Sequence, residues 1–201
     1  MAKLRIFVSS TFYDLRYLRS TLERFITDLG HEPILSERGA VHFDPSKTLA
    51  ESCFDEVSRS DVFVLIIGGR YGTLAPATGI QERQSSPSLD RTQAASSITK
   101  LEHSTALELG IPIYTLIERN VYVEYLTYTR NNSSNICYAH VDDVRVFEFI
   151  DSLMNLPLNN PIHPFDRESE IEDWLKSQWS SLLKQLLASR AKAAQFDLLS
   201  H

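Results

Sequence analysis

Ser97-Ile98-Thr99-Lys100-Leu101-Glu102 opens a helix that Gly110 ends, and the apolar run Ile111 to Ile117 follows at once. At about 100° per residue, Ile98, Leu101, Thr105 and Leu109 share one stripe, the face expected to pack on a sheet. Glu102 falls at the edge of that stripe, while Lys100 and His103 are expected to point away. A carboxylate beside the buried arc, in a helix's first turn, lies where open α/β sheets hold ligands, at the carboxyl ends of their strands. Thr99-Lys100-Leu101-Glu102 also fits the S/T-x-x-E capping box, in which the glutamate returns a hydrogen bond to the backbone. Two roles are therefore open to Glu102, a cap or a functional group.

The flanking chain alternates strand and helix. Leu4 to Val8 reads as a short strand closed by the turn-forming Ser9-Ser10-Thr11. Leu15, Leu18, Leu22, Phe25, Ile26 and Leu29 then recur at helical spacing up to Gly30. Pro33-Ile34-Leu35 reads as an edge strand, because proline has no N–H for a central ladder. Asp44-Pro45 starts a second helix that runs to about Arg59. Val62 to Ile67 is apolar on both faces, as a central parallel strand should be, and ends in Gly68-Gly69-Arg70-Tyr71-Gly72.

Residues 73–96 are polar and rich in serine, proline and glutamine, a long loop able to cover a site. After a strand at Ile113 to Ile117, Val121 to Tyr128 fits helix and strand alike. Val144 to Leu156 is a helix and Ile162 to Phe165 an edge strand. Asp166 caps a last helix over 167–190, with 191–201 as a tail. The alternation predicts one α/β domain over residues 1–190 with a five-stranded, mainly parallel sheet of order 2-1-3-4-5. Helices on both faces give three αβα layers, a flavodoxin-like fold.

The 201 residues suffice for one such domain and its core. A net charge of −6 leaves no basic surplus to displace counterions from phosphates, which argues against general nucleic-acid binding. No apolar stretch is long enough to cross a membrane, and Lys3 leads straight into a strand without a signal peptide, so the cytoplasm is the expected compartment. Cys53 and Cys137 lie far apart, and the six histidines form no HExxH or Cys/His cluster, so no metal is expected. The phosphate loop GxxxxGK[ST], the dinucleotide fingerprint GxGxxG and the GxSxG elbow are all missing.

Three clusters fall at strand ends besides Glu102: Ser9-Ser10-Thr11, Glu37, and Gly69-Arg70-Tyr71-Gly72. Together they suit a polyhydroxylated ligand, with hydroxyls and carboxylates for ribose, Arg70 for a phosphate and Tyr71 for stacking. Each has a plainer role as well. The hydroxyls can cap the first helix, Arg70 can pair with an acid, Tyr71 can pack, and Glu37 can be a solvated charge.

Arg5-Ile6-Phe7-Val8-Ser9-Ser10-Thr11-Phe12-Tyr13-Asp14-Leu15 resembles the opening of a TIR-like family described as a domain of unknown function, found alone or ahead of STAND-type ATPases. The resemblance continues through Gly30 with Pro33, Glu37, Ser60 to Val64, Gly68 with Arg70-Tyr71-Gly72, Thr99 to Glu102, Ala106, Gly110 and Pro112. It is strong over residues 3–118 and looser to about 187. The loop at 73–96 is longer than the family pattern, and His103 replaces a usual tyrosine.

That family is similar to TIR NADases and to nucleoside 2-deoxyribosyltransferases, flavodoxin-like folds with a glutamate at this helix. The resemblance implies that Glu102 acts at a ribose and that NAD is substrate rather than cofactor. It implies cleavage of the N-glycosidic bond, giving a nucleotide signal or depleting NAD, as in stand-alone antiphage TIR proteins of the Thoeris type. Read as a stand-alone domain without an attached ATPase, the chain is expected to need an activating partner or homo-oligomer, with a separate effector protein downstream. Two other readings stand beside it: a deoxyribosyltransferase or nucleoside hydrolase, and a non-catalytic TIR-like module that uses Leu107, Tyr122, Tyr125 and Tyr128 as a contact surface.

Overall fold

In a computed structural model the described residues are 3–10, 15–35, 49–72, 97–131 and 136–199. They form β1 (Arg5–Ser10), α1 (Arg16–Asp28), β2 (Glu32–Leu35), α2 (Leu49–Ser58), β3 (Val62–Ile67) and α3 (Ile98–Glu108). There follow β4 (Ile113–Glu118), α4 (Arg119–Arg130), α5 (Arg145–Met154), β5 (Ile162–Phe165) and α6 (Glu168–Leu199). The five strands make one parallel sheet in the order β2-β1-β3-β4-β5. The expected architecture is the observed one, with Val62–Ile67 central and the proline-bearing β2 at an edge. The starts expected at Asp44-Pro45 and the loop at 73–96 lie outside the described residues.

The strand order dictates the layers. β2 and β3 flank β1 on opposite sides, so right-handed crossovers place α1 and α2 on opposite faces of the sheet. Phe7, Phe63, Leu65 and Ile67 turn toward a core shared with Ala106 of α3, Tyr125 of α4 and Phe147, Phe149 and Ile150 of α5. The rings of Phe7 and Phe63, register partners across β1 and β3, stack with centroids 5.5 Å apart. Arg5 fastens the start of β1. Its N–H donates to Asp61 (2.8 Å), and its guanidinium reaches Glu56 (2.9 Å) and the Arg59 carbonyl.

Several elements differ from expectation. Ser9 and Ser10 are the last residues of β1 rather than a turn. The ambiguous segment is helix α4, whose Tyr125 is buried and donates to Asp151 of α5 (3.1 Å). Burial and that carboxylate push the Tyr125 hydroxyl up to about 12. Tyr122, Tyr128 and Leu107 pack against the core, so these residues are core-facing rather than an outward contact surface.

The chain divides into two compact units, Met1–Pro164 and Phe165–His201. In the second, the Asp166 N–H donates to Glu170 at the start of α6. That helix continues to Leu199 because Ala191-Lys192-Ala193-Ala194-Gln195 are good helix formers without glycine or proline.

A close backbone fit braces the sheet's carboxyl edge. A Cβ on Gly69 would come 1.7 Å from the His140 carbonyl oxygen, and the Gly69 carbonyl accepts the Asp142 N–H at 3.0 Å. Glu124 of α4 holds the same loop from the other side by accepting the N–H groups of Ala139 (2.8 Å) and His140 (3.1 Å). Further along the sheet, Asn159, at φ 58, accepts the Ile113 N–H (3.0 Å) and donates to the Ile111 carbonyl (2.7 Å), standing in for a strand partner at the start of β4.

Gly69→Ala forces two backbones apart, and the expected cost is about 2–4 kcal/mol in urea unfolding. Unchanged stability would show that the loop yields freely. Asn159→Ala takes this partner from the Ile113 N–H and the Ile111 carbonyl and should cost about 2–3 kcal/mol by the same measurement. A loss under roughly half a kcal/mol, typical of a surface change, would contradict that role.

Candidate functional site

Glu102 is 1% exposed, and the Ser9 hydroxyl, fully buried at the end of β1, donates to its carboxyl at 2.6 Å. The helix is capped elsewhere: Ser97 is the N-cap, and its side chain accepts the Lys100 N–H at 3.3 Å. The S/T-x-x-E capping role is therefore not the one Glu102 fills. Its partner is across 93 positions of chain, on the strand beside the point where the sheet order reverses.

This contact goes with a rotation of α3 relative to expectation. The buried residues are Thr99, Glu102, His103 and Ala106, while Leu109 is 54% exposed. The stripe Ile98, Leu101, Thr105 and Leu109 is not the sheet face, and His103 points inward. α3 packs on β1, β3 and also α2, so half-buried apolar residues such as Leu101 need not face the sheet. The polar face goes inward because it has partners there. Ser9 meets Glu102, and the His103 ring stands edge-on between Phe63 (6.4 Å) and Phe149 (5.8 Å).

One turn before Glu102, Thr99 joins Ser97, Ile66, Ile67, Arg70, Tyr71, Val146 and Phe149 around a small surface cleft that opens to solvent. Thr99 and Glu102 share the buried face, three residues or about 4.5 Å apart along the helix axis. Arg70 is exposed at the rim, and Tyr71 is half-buried with the Arg145 guanidinium 4.3 Å over its ring. Asp143 clamps that guanidinium, accepting from Nε (2.9 Å) and Nη2 (2.5 Å). The same bonds hold the Asp143 carboxyl below its usual range and raise Arg145.

The structure thus brings Ser9 onto Glu102, and Arg70 and Tyr71 onto the adjoining cleft. Ser10 alternates to the other face of β1, and its buried hydroxyl has no hydrogen-bond partner among the described residues. Gly72 adopts φ 88, which explains the glycine closing Arg70-Tyr71-Gly72. Thr11 and Glu37 lie outside the described residues. Ser97, Thr99, His103, Asp143 and Arg145 were not singled out as site residues. Asp143-x-Arg145 carries no periodicity and reaches Tyr71 only through the loop held by Gly69. Among the described residues no group of three or more His, Cys, Asp or Glu is placed to hold a metal ion.

Burial lowers His103 from 6.5 to about 4, so it is neutral at pH 7. The unfolded chain binds this proton more readily, so the stability this residue contributes is full above pH 6.5 and is lost as pH falls toward 4. The loss at the acid end is on the order of 3 kcal/mol. His103→Phe should remove that part of the acid destabilisation when melting temperatures are compared from pH 4 to 7. Parallel curves for both proteins would contradict a neutral, buried His103.

No curated protein matches the chain. A family model does, over residues 5–180, which takes in β1 through the first turns of α6 and every described residue of the site. The chain belongs to that family, DUF4062, a domain of unknown function.

Proposed function

We propose that this protein is a TIR-like enzyme that cleaves the N-glycosidic bond of NAD, with Glu102 as the carboxylate at the ribose. The observation that carries the reading is the Ser9–Glu102 hydrogen bond, which sets a buried carboxylate at the sheet's switch point instead of at a helix cap. Burying a carboxylate is costly unless it is hydrogen-bonded, and a group kept at that cost on the ligand-binding edge of an α/β sheet is a functional candidate. Arg70, Tyr71, Ser97 and Thr99 are among the residues that line a cleft one helical turn from it.

The chemistry follows from charge. As the bond from the anomeric carbon to the nicotinamide nitrogen breaks, its electron pair leaves with the nicotinamide and positive charge builds on the ribose. A carboxylate already oriented by Ser9 stabilises that charge, or captures the carbon covalently, before water completes hydrolysis. If an acceptor nitrogen or hydroxyl of the same nucleotide attacks instead, the product is a cyclic signal. The biological setting that fits is antiphage defence in the cytoplasm, with self-association or a partner as trigger and a separate effector reading the product.

Glu102→Gln keeps an acceptor for Ser9 and removes the charge. It should fold normally and lose cleavage by about a hundredfold or more. Mass spectrometry of NAD and of nucleosides incubated with both proteins reads the outcome. Release of nicotinamide by Glu102→Gln at the wild-type rate would exclude Glu102 as the reacting group. With the protein in its activated assembly, wild type that attacks nucleosides but not NAD is a nucleoside hydrolase or transferase, and wild type that attacks neither is an interaction module.

A further inference from the structure

The Arg145 guanidinium is held on two sides. Asp143 engages Nε and Nη2 of its guanidinium, and the Tyr71 ring covers one face, so the group is fixed before any ligand arrives. Arginine has five N–H donors in a planar fork. The Nη1 edge makes no hydrogen bond to a described residue, which leaves it to face solvent or a ligand. Arg70, next to Tyr71 in sequence, is exposed at the rim of the same cleft and has no ion-pair partner among the described residues. The first turn of α3 lines the cleft too, and the positive end of a helix favours an anion there. Among the described residues Asp143 is the carboxylate hydrogen-bonded to these cations, and Glu148, exposed a turn further along α5, also attracts Arg145 through space. Both arginines adjoin Tyr71, Arg70 as its neighbour in sequence and Arg145 through its ring.

We propose that Arg145, clamped by Asp143 over Tyr71, and Arg70 form the phosphate-binding edge of the cleft, so that the ligand is a nucleoside diphosphate or a dinucleotide built on one, and not a free nucleoside. This deepens the glycosidic reading, on which it rests for the placement of the sugar toward Glu102. A fork-to-phosphate contact is charge-assisted and bidentate, and it discriminates strongly against a ligand that lacks the phosphate. Asp143 acts as a positioning residue, holding the fork at the angle that presents Nη1.

Binding, measured apart from cleavage, tests this. Wild type is titrated calorimetrically with ADP and with adenosine at low and moderate salt. ADP should bind at least about tenfold more tightly, with an affinity that falls as salt rises. Arg70→Gln, a change at an exposed side chain, and Arg145→Gln should each weaken ADP by about tenfold while leaving adenosine unchanged. Asp143→Asn should weaken ADP less than Arg145→Gln does. Equal affinities for ADP and adenosine, no binding of either, or full ADP affinity in Arg70→Gln and Arg145→Gln would each overturn the proposal. The Glu102→Gln protein separates the two readings. If it keeps ADP selectivity and also keeps cleavage, the phosphate edge stands and the catalytic role falls. If it loses cleavage while ADP and adenosine bind alike, the reverse holds.

Discussion

A carboxyl group with 1% of its surface exposed must have partners, and for Glu102 one of them is the hydroxyl of Ser9. That contact sets how α3 lies on the sheet. It turns Thr99, Glu102, His103 and Ala106 inward, stands the His103 ring between Phe63 and Phe149, and brings the start of α3 to the cleft. Ser9 can reach Glu102 because β1 extends two residues past the expected end, and because β1 pairs with β3 beside the reversal of strand order. One polar pair thus links the topology of the sheet to the chemistry of its edge.

The other half of the site depends on a close approach of two backbones. Gly69 follows β3 and leaves no room for a side chain against His140, so the loop before α5 lies on the end of that strand. Glu124 fixes the same loop from α4. Asp143 and Arg145 follow directly, and the guanidinium meets Tyr71, two residues beyond Gly69. The cleft is therefore assembled from α3, the end of β3 and the start of α5, three elements brought together by the parallel sheet beneath them. Its walls are apolar at Ile66, Val146 and Phe149 and charged at the rim, the mixture that orients a small ligand.

Strand order, the central place of Val62–Ile67 and the edge place of β2 were legible in the sequence, because burial on both faces and a proline leave direct marks on local composition. The pairing of Ser9 with Glu102 was within reach, since both were placed at strand ends by the same alternation. The orientation of α3 was not. Hydrophobic periodicity weighs Ile98, Leu101 and Leu109 and gives no weight to a glutamate and a histidine whose partners arrive from β1, β3 and α5. Arg145 was invisible for a related reason: its importance comes from the Gly69 approach and the ring of Tyr71, neither of which leaves a local signal around residue 145. α4 was ambiguous because its tyrosines and valines suit strand or helix, and the hydrogen bond from Tyr125 to Asp151 is a tertiary fact.

The proposed role of Glu102 makes a geometric demand as well as a kinetic one, and a crystal structure of the Glu102→Gln protein soaked with NAD examines it directly. The account predicts the anomeric carbon of the nicotinamide ribose within about 4 Å of the residue 102 side chain, with that side chain still bonded to Ser9. NAD seated with its nicotinamide ribose away from residue 102, or bound to no part of the cleft, would contradict it.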